Sequence, residues 1–253
     1  MQSFLTVLGL SDVNGALLDS RPGPQEGVVL VAFDAKKLSE ANKAKIFQSA
    51  IVYTTAAFRE SAETQTPESR KEHFEHIFNG DVLFIAIDTE KEVLRAHSLW
   101  AFAGHGAVYI VGTCVDPSLQ RSGLGTALCT YAVTFTAWPV PVTIFCGRTQ
   151  NVSFVKIWER CFVGDDWVEV VPVRGAMSNE LAGVVRHIVH SFGSLKGSAE
   201  KYCDKTGTPC FRGVYDSVRI AAFGGDRPEG QALTVYGVDP RQGDALLVVA
   251  RRK

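Results

Sequence analysis

The sequence predicts an α/β protein with a mixed β-sheet flanked by helices and a C-terminal α+β extension. Apolar, β-branched runs of strand length alternate with helical segments. Three consecutive strand-like runs form an antiparallel meander, and a helix and a further strand follow the last run, which is the order of a parallel crossover. With 253 residues, 46% of them hydrophobic, the chain is long enough to bury a substantial core.

The first third of the chain is expected to hold a lead-in, one strand and two helices. Residues 1–27 are predicted to be irregular, because Ser, Asn, Gly and Pro cluster there twice. Ser39 or Asn42 can cap the first helix, and Thr66 before a proline is a typical start for the second. The expected elements are a strand at 28–33, a helix to about 61 and a helix at 66–78.

The meander and the crossover lie in the middle of the chain. Gly104-His105-Gly106 is predicted to join two strands of the meander as a short hairpin. We divide the chain into a lead-in (1–27), a core (28–173) and an extension (174–253). The expected elements are strands at 82–87, 96–103 and 107–115, a helix at 123–137, a strand at 142–145, a helix at 151–162, a strand at 167–173, a helix at 178–192, and glycine-punctuated strands that end at 245–251.

Charge and hydropathy exclude several classes of partner. The chain has 26 Lys and Arg against 27 Asp and Glu, a formal net charge of −1 at pH 7. Because this balance gives no long-range attraction for phosphate backbones or anionic lipid, we expect neither nucleic acid nor a membrane as a partner. No apolar run approaches the roughly 20 residues that cross a bilayer. The first residues lack the basic region and cleavage site of a secretory signal, so we expect a cytoplasmic protein.

Cysteine and histidine spacing predicts no metal site. The six cysteines include no C-x-x-C pair, and we expect reduced, mostly buried thiols. Cys114 is accordingly predicted to be a buried strand thiol in preference to an acyl-carrying nucleophile. His73 with His76, and His187 with His190, share helix faces. Two ligands do not make a site without a third at a recognisable spacing.

One segment carries a chemical signal. Residues 120–126, Gln-Arg-Ser-Gly-Leu-Gly-Thr, lie between the strand that ends at Val115 and an apolar helix. Glycines at positions 123 and 125 remove side chains where the chain turns into the helix, so backbone N–H groups and the positive end of the helix dipole can face one anion. The pattern predicts a pyrophosphate-binding turn. The alternative is a tight strand-to-helix connection that binds nothing.

This segment resembles motif A of the GCN5-related N-acetyltransferases, the GNAT superfamily. The resemblance is carried by Val115-Asp116-Pro117 followed by Gln120-Arg121-Ser122-Gly123-Leu124-Gly125. It extends in element order from residue 28 to 173, with its sequence-level specificity in 111–162. It implies a GNAT-like, splayed sheet that binds acetyl-CoA in a V-shaped opening, and direct transfer of the acyl group to an amine.

The resemblance also implies which residues hold the cofactor. Backbone amides of residues 120–126 would cradle the pyrophosphate, with added charge from Arg121, and the backbone of Cys114 and Val115 would pair with the pantetheine arm. Asn151 matches the Asn that contacts the same arm, or else it serves as a helix cap alone. The implied set is Cys114, Val115, Gln120, Arg121, Ser122, Gly123, Leu124, Gly125, Thr126 and Asn151.

The proton-transfer groups are less clearly marked. Amine acylation requires a base, and the departing thiolate benefits from an acid. Many family members place a Tyr seven residues after the helix-opening Asn, where this chain has Trp158. Tyr109 and His97 are the candidate catalytic residues, with His105 and Asp116 as further candidates for the base. A chain of waters is the alternative to a side-chain base.

We therefore expect a GNAT-type N-acetyltransferase of class EC 2.3.1. It would move an acetyl or short acyl group from acetyl-CoA to an amine, with a small-molecule acceptor favoured over histone or ribosomal proteins. The alternatives are an acyl-CoA-binding sensor or scaffold without turnover, and a transferase that uses a longer acyl donor. The extension at 174–253 would either wall the acceptor cleft or form the surface of a homodimer.

Overall fold

The computed structural model describes residues 5, 8–58, 66–205, 207–215, 220 and 230–253. The chain forms two compact units. The first comprises Met1–Ala101 and Ile110–Ala137, and the second comprises Phe102–Tyr109 and Trp138–Lys253. Among the helices of the described residues, none combines the length and the hydrophobicity that a membrane span requires.

The first unit is a sheet with helices on both faces. Strands β1 to β4 pair antiparallel in sequence order, and the hydroxyls of Ser98 on β4 and Thr113 on β5 hydrogen-bond at 2.7 Å. The strands are β1 (Leu17–Pro22), β2 (Val28–Asp34), β3 (Val82–Asp88), β4 (Val93–Gly104) and β5 (Ala107–Val115). Of β4 and β5, residues 93–101 and 110–115 belong to this unit. The helices are α1 (Glu40–Ala57), α2 (Pro67–Phe78) and α3 (Leu124–Thr134).

Alternate residues of β3 separate the two faces of this sheet. Leu83 and Ile85 are fully buried in a cluster that includes Ile46 of α1 and Ile77 of α2. Phe84 points to the opposite face, where its ring packs at 5.1 Å from Tyr131 and 5.4 Å from Phe135, in and just after α3. The helices are thus held by burial of apolar side chains on both faces of one strand.

The predicted helix starts are confirmed. The Ser39 hydroxyl accepts a hydrogen bond from the backbone N–H of Asn42 at 3.2 Å, and the Thr66 hydroxyl accepts one from Ser69 at 3.1 Å, with Pro67 in the first turn. Each bond satisfies one of the N–H groups that a helix start leaves without an intrahelical acceptor. The first helix is described to Ala57, and the rest of its predicted length to residue 61 falls partly outside the described residues.

The prediction that residues 1–27 are irregular is wrong for 17–22, which form β1. Asp19, Ser20, Arg21 and Pro22 are poor strand formers by composition. They are tolerated because, among the strands of the described residues, β1 lies at the edge and pairs with β2 alone, so one side of its backbone needs no partner strand.

The second unit is built around the C-terminal strand. The carbonyl of Gly106 accepts hydrogen bonds from the N–H groups of Thr143 and Ile144, and the Cys146 thiol lies 3.4 Å from the carbonyl of Val108. Residue numbers rise together along the two segments, as in the predicted parallel pair. The strands are β6 (Ile144–Thr149), β7 (Trp167–Val171), β8 (Tyr202–Cys203), β9 (Cys210–Phe211) and β10 (Ala245–Arg252), together with residues 107–109 of β5.

β10 lies at the centre of this unit. It pairs antiparallel with β6 on one side and with β7 and β9 on the other, and residues 245–250 are all buried. It belongs to the expected extension but pairs with strands of the expected core, and the limits 28–173 and 174–253 stay a prediction. The helices are α4 (Val152–Cys161), α5 (Asn179–Ser191) and the short α6 (Gly193–Lys196).

The predicted fold class is confirmed. The described residues form a mixed α/β structure with a mostly antiparallel sheet and flanking helices. The boundaries differ by a few residues: the strand expected at 142–145 is found at Ile144–Thr149, and the helix expected at 123–137 spans Leu124–Thr134. Such shifts arise because element ends depend on caps and neighbours more than on local composition.

Candidate functional site

The chain leaves β5 through a tightly bonded turn. The Asp116 carboxylate accepts hydrogen bonds from the N–H of Ser118 at 2.9 Å and from its hydroxyl at 2.7 Å, and it is paired with Arg95 at 2.7 Å. Burial alone would raise the pKa of Asp116, but these hydrogen bonds and the Arg95 charge lower it. The carboxylate therefore stays ionised and engaged in hydrogen bonds with Ser118 and Arg95, which argues against Asp116 as a catalytic base.

The turn into α3 has the backbone shape that the glycine pattern predicts. Gly123 is the N-cap residue of α3 with φ of 90°, and Arg121 has φ of 70°, so both lie in the left-handed region. Within the described part of the chain, no side chain caps the helix at Gly123. The N–H groups of the first turn are directed out of the start of the helix, where the positive end of its dipole lies.

The surroundings of this turn suit an anion. Gln120, Arg121 and Gly123 are exposed, so a ligand can reach the backbone and the Arg121 guanidinium. The Ser122 hydroxyl oxygen is buried and has no hydrogen-bond partner among the described residues. A phosphate oxygen is the kind of acceptor that exposed N–H groups at a helix start bind.

The end of β5 carries a buried thiol. Cys114 is 6% exposed, and burial raises the pKa of its thiol to about 12, with an opposing hydrogen bond to Thr54. The sulfur is therefore protonated at neutral pH and unfit as a nucleophile. Cys114 and Val115 stay candidates through their backbone groups, as the family resemblance implies.

His97 lies inside the first unit. It is 2% exposed on β4, and its Nδ1 is 2.7 Å from the hydroxyl of Tyr53 on α1. Burial, with smaller contributions from His76 and His73, lowers the pKa of His97 to about 3. A neutral imidazole with so low a pKa is a poor proton acceptor at neutral pH. Its catalytic role stays a prediction, and its burial argues against it.

His97 should make the stability of the protein depend on pH. The imidazole has a pKa of about 3 in the folded chain and about 6.5 when unfolded, so the unfolded chain binds an extra proton between these values. We expect the free energy of unfolding to fall by about 1.4 kcal/mol for each pH unit below 6.5 from this group alone. In urea unfolding at pH 4 to 7, His97→Gln should flatten that slope and the exposed-site control His190→Gln should not. An unchanged slope in His97→Gln contradicts the assignment.

Tyr109 belongs to the second unit, at the start of β5. It is 4% exposed, and its ring packs 5.3 Å from that of Phe192. Burial raises the pKa of Tyr109 well above its usual value, against the opposing charge of Arg148. The phenol is therefore protonated and can donate a hydrogen bond or a proton, but it cannot serve as a base at neutral pH. Its role stays a prediction.

Asn151 caps α4. Its side-chain oxygen accepts a hydrogen bond from the N–H of Ser153 at 2.8 Å, and its own N–H donates to Thr149 at 2.8 Å. The capping bond uses Oδ1, and the amide nitrogen of this exposed residue takes no part in it. Trp158, where many family members have Tyr, is fully buried between Phe154 and Phe162.

The other histidines do not gather into a metal centre. His105 is exposed at the hairpin tip with φ of 52°, and its ring packs 4.4 Å from that of His187. Among the residues that the structure describes, no group of three or more His, Cys, Asp or Glu is arranged to hold a metal ion.

Sequence reasoning missed Arg148. This residue lies on β6, with its guanidinium 5.3 Å from the ring of Phe211 and 5.2 Å from that of Tyr215. The available signal was a basic residue in an otherwise apolar strand run, Ile-Phe-Cys-Gly-Arg-Thr. Such a residue in a strand with buried neighbours needs either a partner or a ligand.

The predicted site residues are thus divided between the two units. The first unit contains Cys114, Val115, the 120–126 turn and His97, and the second contains Tyr109 and Asn151. Within the first unit, the structure joins the end of β5 directly to the exposed turn, as the sequence predicts. His97 is buried in the packing of β4 against α1, where its Nδ1 meets the Tyr53 hydroxyl.

Several solved structures resemble this chain distantly. An acetyltransferase of the GNAT family from Bacillus anthracis is 12% identical, with 57% of this chain and 81% of that chain covered and a TM-score of 0.39. A ribosomal-protein-S5-alanine acetyltransferase from Vibrio fischeri is 13% identical, with 60% and 87% covered and a TM-score of 0.41. A spermidine N-acetyltransferase variant from Vibrio cholerae is 16% identical, with 56% and 83% covered and a TM-score of 0.36.

No curated protein matches the sequence. Residues 50–137 match the model of the acetyltransferase (GNAT) family. The matched segment runs from the second half of α1 to the end of the first unit and includes the whole turn before α3. We therefore identify residues 50–137 as part of a GNAT acetyltransferase domain.

Proposed function

We propose that this protein transfers an acetyl group from acetyl-CoA to an amine on a small molecule. The observation that carries the proposal is the exposed start of α3, where Arg121 and Gly123 take left-handed conformations and no described side chain caps the helix. Backbone N–H groups in this arrangement fit the pyrophosphate of coenzyme A. The GNAT match over residues 50–137 supports the same donor.

The proposed chemistry is direct attack of the amine on the thioester. When bound, acetyl-CoA supplies the acetyl group and a thiolate leaving group. Backbone N–H groups at the end of β5 would orient the thioester and stabilise negative charge on its carbonyl oxygen. The protonated Tyr109 phenol is the proposed hydrogen-bond donor, while the buried Cys114 thiol takes no covalent part.

Release of the free thiol tests this function. With acetyl-CoA and a panel of small amines, we expect amine-dependent thiol release at a rate well above that without protein. Calorimetry with coenzyme A should give saturable binding in parallel. Absence of both signals contradicts the proposal.

The second candidate is an acyl-CoA-binding module without turnover. It is favoured by Trp158, whose buried indole stands where many family members have a Tyr, and by the low pKa of His97. Saturable binding of coenzyme A without thiol release for any amine would select this candidate. Acyl donors of increasing chain length separate either candidate from a transferase of longer acyl groups.

A further inference from the structure

Arg148 is an enclosed cation without a carboxylate partner among the described residues. Its residue is partly buried, and its Nε is buried and has no hydrogen-bond partner there. One terminal nitrogen donates to the Ser198 hydroxyl at 3.4 Å, and the Tyr215 hydroxyl is a further hydrogen-bonding neighbour. The rings of Phe211 and Tyr215 supply cation–π contacts.

Four other arginines of the second unit are paired with carboxylates. Three of them have side chains 47% to 61% exposed, so solvent already hydrates their charge and they need a partner least. These four are Arg186, Arg212, Arg241 and Arg251. An enclosed guanidinium surrounded by hydroxyls and rings retains an unused donor at Nε, and an anionic ligand would form charge-assisted hydrogen bonds with such a group.

The location of Arg148 connects it with the proposed reaction. It is three residues before Asn151, and its charge opposes the burial that raises the pKa of the Tyr109 phenol. A ligand bound to the guanidinium would therefore lie beside Tyr109 and between the hydroxyls of Ser198 and Tyr215. A planar carboxylate matches a guanidinium with two parallel hydrogen bonds.

We propose that Arg148 binds the carboxylate of an amino-acid-like acceptor and that Ser198 and Tyr215 complete this subsite. The inference rests on the proposed acetyl transfer, since it names the chemical class of its acceptor. One guanidinium neutralises one carboxylate. A dianionic phosphate would normally call for more than one cation.

The test compares acids with their amides in the whole 253-residue chain. Glycine, L-alanine, L-methionine and L-phenylalanine are the acids. Each is assayed alongside its own primary amide, with acetyl-CoA as the acetyl donor. We expect the kcat/KM ratio of acid to amide to fall by a factor on the order of 10 to 100 in Arg148→Gln, the loss of a charge-assisted hydrogen-bonded pair. The acid-to-amide ratio of Arg148→Lys should lie between that of the unchanged protein and that of Arg148→Gln. Comparing ratios across variants cancels the different basicity of the paired amines and any loss of folded protein.

Arg252→Met is the matched control. Arg252 stacks 4.8 Å from the ring of Trp167, and it lies five residues along β10 from Leu247, the partner of Arg148. This separation is roughly 17 Å along the strand. Removing that cation–π contact should leave the acid-to-amide ratio unchanged. An equal change in Arg252→Met, or an unchanged ratio in Arg148→Gln, overturns the subsite.

A binding measurement separates the subsite from the transfer reaction. Calorimetry with the four N-acetylated acids and their N-acetylated amides requires no turnover. Arg148-dependent binding of the acids without acetylation of any amine supports the subsite and contradicts the proposed function. If acids are acetylated no better than their amides, or if phosphoethanolamine is preferred over every acid, the carboxylate subsite is overturned. The proposed acetyl transfer is unaffected by either outcome. If no acid binds and no acid is acetylated, the carboxylate subsite is overturned as well.

Discussion

Gly123→Val is expected to raise the dissociation constant of coenzyme A by a factor on the order of 100, which corresponds to the loss of about two charge-assisted hydrogen bonds. Gly123 has φ of 90° at the start of α3, a conformation that a β-branched residue does not readily adopt. The chain must shift to accommodate valine, and the N–H groups of the first turn then lose their common direction. Calorimetry with coenzyme A measures the change.

Gly164→Val provides a control with the same backbone strain. Gly164 has φ of 94°, and a Cβ built there meets no atom within 4 Å, as at Gly123. Both variants should lose a similar amount of stability, about 1–2 kcal/mol. Only Gly123→Val should lose affinity for coenzyme A. If the two variants bind coenzyme A equally well, the turn before α3 is not the pyrophosphate site.

The features that sequence predicted best are those decided within a few residues. Ser39, Thr66, Asn151 and Ser178 each cap a helix by accepting a hydrogen bond from an N–H two or three residues later. The left-handed conformation of Gly123 is local in the same sense. Both kinds of feature depend on short-range sterics and hydrogen bonding, which the order of residues specifies directly.

Strand pairing between distant segments was harder to predict. Residues 17–22 have the composition of a loop and become β1 only because β2 offers an edge. The final strand was expected in an extension, but its Leu246 pairs with Thr149 and with Cys210. Register between such segments is set by the complete set of buried faces, which no single window of sequence contains.

The surroundings of the candidate polar residues depend on the same long-range contacts. His97 was predicted as a catalytic group because of its chemistry and strand position. Its hydrogen bond to Tyr53 joins residues 44 positions apart, and the burial that lowers the pKa of His97 comes from packing of α1 on β4. Arg148 likewise acquires its neighbours from residues 198, 211 and 215. Sequence spacing carries no signal for either environment.

Asp244→Ala is expected to lower the free energy of unfolding by about 3 kcal/mol. The carboxylate is buried just before β10, and it accepts hydrogen bonds from Arg212 at 2.5 Å, from the N–H of Gly213 at 3.0 Å and from the N–H of Asp239 at 3.2 Å. Alanine leaves the two backbone donors without this acceptor and removes the charge that holds the guanidinium. Urea unfolding followed by tryptophan fluorescence measures the loss.

Asp204→Ala is the matched control, because it breaks another Asp–Arg pair in the same unit. Its partner Arg186 has a side chain 56% exposed, so solvent screens the pair, and its loss should cost much less than the loss of the Asp244 carboxylate. The Asp244 carboxylate differs because two of its three donors are backbone N–H groups, from segments on either side of the 216–229 stretch. If Asp244→Ala costs no more than Asp204→Ala, water replaces those bonds, and the start of β10 is held by its strand pairing and by the Gln150 amide, which donates to the Asp244 carbonyl at 2.6 Å.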